Sequence, residues 1–154
     1  MSKKTIIEIL GLVALIGSLI FVGIEIRQNS LAVRGATHQS ISEQVTKLYM
    51  HVATNERLSK LVSQMLPGDT SDDNLRNQLN AADELSLDFT VLTGLRRIEN
   101  IYLQESDGIL SDKAFERIGL EFYQTPFSRE TWEKYKTGFD KAFIDFFEKL
   151  RDTK

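Results

Sequence analysis

No charged residue occurs between Ile9 and Ile24, and the wider segment Ile6 to Ile26 reads IIEILGLVALIGSLIFVGIEI. Such a run leaves a chain few choices. Its 21 residues make a helix about 31 Å long, enough for a hydrocarbon core of roughly 30 Å. Glu8 and Glu25 stand at the two ends, where carboxylates reach water, whereas a charge at the centre would cost several kcal/mol. Lipid offers the backbone no hydrogen bonds, so a lone span must be a helix. A buried core helix seldom stays uncharged for so long. A cleaved signal peptide would use Lys3 and Lys4 as its basic start. The run ends, however, in Val22-Gly23-Ile24-Glu25, without an A-x-A-like site. An interfacial helix needs a strong polar face, which this segment lacks. Residues 1–28 are therefore expected to be a transmembrane anchor whose partner is the lipid bilayer.

Gly11, Ala14 and Ser18 recur at i, i+3 and i+7, so they share one face of that helix. Small residues let a second helix approach closely in lipid. They are the candidate face for a homo-oligomer. Orientation stays open, because Lys3 and Lys4 before the span nearly balance Arg27 and Arg34 after it.

The remainder, residues 29–154, is one domain's worth of chain. Lys3, Lys4 and Arg27, taken from 19 Lys and Arg, and Glu8 and Glu25, taken from 22 Asp and Glu, leave 16 against 20. This mild acidity argues against a nucleic-acid partner, which needs a basic face. With no cysteine in the chain, disulfide and thiolate chemistry are absent and redox compartment is unreadable.

Helical periodicity continues past the span. Leu31, Arg34, His38, Ile41, Val45, Leu48 and Val52 form a heptad-like stripe. Asn55 with Glu56 predicts a helix start, with Leu58, Leu61, Val62 and Met65 facing inward and a stop at Pro67-Gly68. GDTSDDN reads as a polar loop, with Ser71 or Asp72 as the next cap. One long helix is predicted over 73–106. Leu75, Leu79, Ala82, Leu85, Phe89 and Leu92 make one apolar stripe. Leu87, Val91, Leu95, Ile98 and Tyr102 make a second, and Ser86, Thr90, Thr93, Arg97, Asn100 and Gln104 occupy the remaining, polar face. Gly94 reads as a close-approach point. Asp107-Gly108 closes that helix. Ser111 or Asp112 then opens one carrying Phe115, Ile118 and Phe122. Ser128 caps a short helix with Trp132 and Tyr135, and Phe139 to Leu150 line a last one. Ten of 14 aromatics fall between Phe115 and Phe147, as a core of short helices requires.

The polar residues inside apolar stripes are the candidates for a site. Asp88, Arg96 and Glu99 project toward the apolar arc, and Arg34 and His38 interrupt the first stripe. If the long helices pack antiparallel, these five form a buried polar cluster, structural or functional. A di-metal bundle needs Glu-x-x-His pairs. The residues three before His38 and His51 are Gly35 and Leu48, so no metal site or other cofactor is expected. Asp88 and Glu99 lie about 16 Å apart along one helix, too far to act on one bond. No catalytic residue is assigned.

The strings IFVGIEIRQNSLAVRGAT, NERLSKL and LRRIENIYLQ resemble a widespread group of uncharacterised small bacterial single-span membrane proteins. Ile26, Arg27, Gln28, Asn29, Arg34, Arg97, Glu99 and Asn100 carry the likeness, which covers most of the chain. It implies the bacterial inner membrane and lends no activity. Members often carry more positive charge after the span, which implies a cytoplasmic domain; Lys3 and Lys4 depart from that pattern. The reading is an all-α protein, with one N-terminal transmembrane helix continuing into a helical bundle of about five helices. Its expected role is a non-enzymatic, membrane-anchored interaction or scaffold protein, self-associating. The alternative is a membrane-tethered sensor or ligand-binding module, using the polar cluster or an aromatic-lined pocket.

Overall fold

The structure is a computed structural model that describes residues 2–66 and 74–153. Every element among them is helical. Helix α1 runs from Lys3 to Thr54 without a break, through Gly35. The chain divides into two compact units, Met1–Gln39 and Ser40–Lys154.

The first unit holds the apolar run. By length and composition it can cross a membrane, and none of it is buried. Gly11, Ala14 and Ser18 are exposed, and a Cβ built on Gly11 would meet nothing within 4 Å. Arg34 and His38, further along the same helix, are exposed as well.

The second unit begins inside α1, where Ile41, Val45, Leu48 and Val52 become half-buried. Asn55 then accepts a hydrogen bond from the Leu58 amide at 3.0 Å and starts α2, Glu56–Met65. Leu58 and Met65 are buried, with Leu61 and Val62 packed against the core. Leu66 is extended, as expected of a residue before proline. The Pro67-Gly68 stop and the polar loop through Asp73, with its Ser71 or Asp72 cap, lie outside the described residues.

The sequence predicts one helix over 73–106, and the structure corrects this. A short helix α3, Leu75–Gln78, precedes α4, Ala81–Ser106. Leu79 between them is extended. The Asn80 side chain accepts from the Ala82 and Asp83 amides, both at 3.0 Å. A side-chain cap of this kind competes with the preceding helical turn and begins a new helix. The break separates Leu75 from the stripe it was assigned to. Leu75 is buried, whereas Leu85 and Phe89 of α4 are exposed. The second stripe, Leu87, Val91, Leu95 and Ile98, is the one that enters the core.

Gly108, at φ +71°, ends α4 in the left-handed conformation that glycine adopts without a Cβ penalty. The helix predicted from Ser111 to Phe122 is also interrupted. A 3-10 turn, Asp112–Arg117, is followed by Gly119 at φ +70° and then α5, Leu120–Gln124. Helix α6, Pro126–Tyr135, is capped by Thr125 rather than by Ser128. The Thr125 hydroxyl accepts from the Ser128 amide, and Pro126 fills the first turn. A 3-10 turn, Lys136–Gly138, leads to α7, Lys141–Asp152, capped by Asp140. Phe139 therefore sits before α7, not on it.

Helix α4 packs against α2 and α6, and α5 against α6 and α7. The C-terminal aromatics fill this core with their own rings. Trp132 is 1% exposed, with ring centroids 4.7 Å from Phe147 and 5.3 Å from Phe139. Such contacts add to the apolar area these side chains bury. Gly94 is a close-approach point, because a Cβ there would collide with the hydroxyl of buried Tyr123. Burial pushes the Tyr123 phenol above its ordinary range.

Candidate functional site

Two places in the second unit gather polar chemistry. The first surrounds Asp88, whose side chain is fully buried. Arg76 Nη2 donates to Asp88 Oδ1 at 2.9 Å, and the Thr131 hydroxyl donates to the same oxygen at 2.8 Å. Lys134 Nζ donates to Oδ2 at 2.8 Å, joined by the Tyr135 hydroxyl at 3.2 Å. Glu84 accepts from Arg76 at 2.6 Å and from Lys134 at 3.0 Å, and Glu130 accepts from Arg76 Nε at 2.9 Å. The Arg76 guanidinium also lies 4.1 Å from the Phe127 ring centroid. Burial works to raise the Asp88 carboxyl. The hydrogen bonds from Arg76, Lys134 and Thr131 outweigh it and hold the carboxyl below the usual carboxylate range. Its hydrogen bonds to Asp88 and Glu84 push the Lys134 ammonium up.

Both Asp88 oxygens are engaged, and the two cations Arg76 and Lys134 are shared among three carboxylates, Asp88, Glu84 and Glu130. A buried network satisfied in this way rigidifies a core; it leaves neither Asp88 oxygen without a partner. It clasps α3, α4 and α6 together.

The five residues expected as one buried cluster are not buried together. Asp88 is buried, Glu99 is half-buried, and Arg34, His38 and Arg96 are exposed. Arg96 does pair with Glu99, at 2.8 Å. It also donates to the Gly138 carbonyl at 2.9 Å and lies 3.9 Å from the Phe139 ring centroid. Arg96 thus ties α4 to the turn before α7. Sequence reasoning found Asp88 and missed its partners. Thr131, Lys134 and Tyr135, at i, i+3 and i+4 on one face of α6, were the legible signal. Arg76 carried none, since its four-residue helix has no period to read.

The second place is an open groove of about 1320 Å³. Its walls are the Gln44–Asn55 stretch, the first turns of α2, and α4 from Ala82 to Asn100. Leu48, Leu58, Leu61, Phe89 and Leu92 supply apolar surface. Phe89 is 56% exposed. The polar row on α4 lines the groove too, but its hydroxyls are turned back on the helix. Ser86 donates to the Ala82 carbonyl at 2.8 Å, Thr90 to Ser86 at 2.8 Å and Thr93 to Phe89 at 2.7 Å. Arg57 of α2 pairs with Asp83 of α4 at 2.6 Å, tying two helix starts together. Among the described residues no three His, Asp or Glu side chains gather as metal ligands. No protein-family model, curated protein or solved structure matches this chain.

Proposed function

We propose that this chain is a non-enzymatic, membrane-anchored interaction protein of the bacterial inner membrane, assembling as a homo-oligomer through its span. One observation carries the anchoring: an apolar run long enough to cross a bilayer, none of it buried by the rest of the chain. A soluble protein would hide such a stretch, because its transfer from water is strongly favourable. Self-association draws on the exposed face of Gly11, Ala14 and Ser18. The non-enzymatic reading draws on Asp88, the buried carboxylate, whose oxygens are all occupied by partners. The bacterial inner membrane is what the resemblance of the residues around Arg27 and Asn29 implies; the side that holds the helical domain stays open, because Lys3 and Lys4 nearly balance Arg27 and Arg34.

The test is the mass of the full-length protein in nanodiscs, with an N-terminal tag to report the span. The expected result is a tagged, alkali-resistant membrane protein of defined oligomeric mass, reduced to monomer by Gly11→Leu with Ser18→Leu. Loss of the tag during export would identify a signal sequence instead. A monomer at every concentration would remove the homo-oligomer. A second reading, a membrane-tethered ligand-binding module, is favoured by one specific observation, the open groove beside α4.

A further inference from the structure

We propose that the groove between the Gln44–Asn55 stretch, α2 and α4 binds an anionic single-chain amphiphile, a fatty-acid-like molecule with a carboxylate head. This inference rests on the ligand-binding reading and is independent of self-association. Charge is the first argument. The charged residues lining the groove are Lys47, Arg57, Arg96, Arg97 and the single carboxylate Asp83, in a chain whose net charge is −3. The groove is therefore opposite in sign to the protein that carries it. Arg57 is neutralised by Asp83 and Arg96 by Glu99. Lys47 remains, exposed on the groove wall. Arg97 is turned inward: Nη2 donates to the Ile118 carbonyl at 3.0 Å, the guanidinium hydrogen-bonds the Tyr123 hydroxyl, and Nε is buried. A carboxylate pairs with Lys47 through a charge-assisted hydrogen bond.

The walls argue for hydrocarbon beyond that head. Leu48, Leu58, Leu61, Phe89 and Leu92 face the groove, and the hydroxyls among them are spent on their own helix. A polar occupant would find few hydrogen bonds there, so it would lose those it made to water. The α4 wall from Ala82 to Asn100 is about 27 Å long at 1.5 Å per residue. One leaflet of a bilayer takes half of a roughly 30 Å core, so an acyl chain and its head fit along this wall. The 1320 Å³ volume has room for one such chain, whose size falls within the roughly 300–1,000 Å³ range of small-molecule sites.

The chain has no cysteine, so Ser86→Cys carries one environment-sensitive fluorophore on the groove wall. The labelled full-length protein, in zwitterionic nanodiscs, is titrated with oleate and in parallel with oleyl alcohol. The expected result is a saturable shift with oleate that the alcohol does not reproduce. Lys47→Glu weakens it about tenfold by reversing the charge at the head, and Phe89→Asp abolishes it. Both side chains are exposed, so the variants keep the fold, as Trp132 fluorescence checks. Equal responses to oleate and oleyl alcohol overturn the proposal. So does an oleate response that survives both substitutions. A shift that follows protein concentration without oleate places a second copy in the groove, and overturns it too.

Discussion

The two apolar flanks of α4 differ in what covers them. On one, Leu87, Val91, Leu95 and Ile98 are buried in a core shared with Trp132, Phe143 and Phe147. On the other, Leu85 and Phe89 stay 47% and 56% exposed, and Phe89 lines a groove. The flanks carry similar residues at the same spacing. Periodicity marks which residues share a face, and says nothing of whether another element arrives to cover it. Here the aromatic helices α6 and α7 cover one flank, while α2 and the end of α1 leave the other open. A wide apolar arc thus serves a core on one side and the wall of an open groove on the other.

Three substitutions test that difference, read by urea unfolding of the full-length protein with Trp132 fluorescence. The largest effect is expected on the covered flank. Leu95→Ala removes a core side chain and leaves a cavity, for a loss of about 2–5 kcal/mol. A loss below about 1 kcal/mol would mean that the flank is loosely covered.

Asp88→Asn comes next. It leaves the cations of Arg76 and Lys134 facing an amide, for a loss of about 2–4 kcal/mol. The same residue gives the fold an acid limb. Because Asp88 is held below its unfolded value, its contribution is complete above an unfolded pKa of about 3.9. It is lost as pH falls through the lower folded value. Stability measured down that range should steepen for the parent protein and flatten for Asp88→Asn. Equal slopes would mean that the clasp is not what senses acid.

The smallest effect belongs to the open flank. Phe89→Ala should change stability by no more than about 0.5 kcal/mol, as at other exposed positions. A loss approaching that of Leu95→Ala would show that something covers the groove in the folded protein.

The sequence by itself determined the features that need only neighbours in the chain. The apolar run from Ile6 to Ile26, the Asn55 cap, the Gly108 stop and the all-helical class are local, set by hydropathy, capping and helical period. Local reading also has local failures. Asn80 sits in a continuous apolar pattern, and its cap outweighs that pattern by satisfying two amides. Gly119 breaks another run because it takes a left-handed turn.

Tertiary structure alone decided the rest. Asp88 stands 12 residues from Arg76, 43 from Thr131 and 46 from Lys134, separations at which sequence spacing carries no signal. Its choice of those partners over Arg96 follows from which helices close on it in three dimensions. The groove has the same origin: each wall is legible as an amphipathic helix, but the space between walls belongs to their packing. Burying a charge is tolerable only where counter-charges and donors converge, and that convergence is a property of the fold rather than of any one segment.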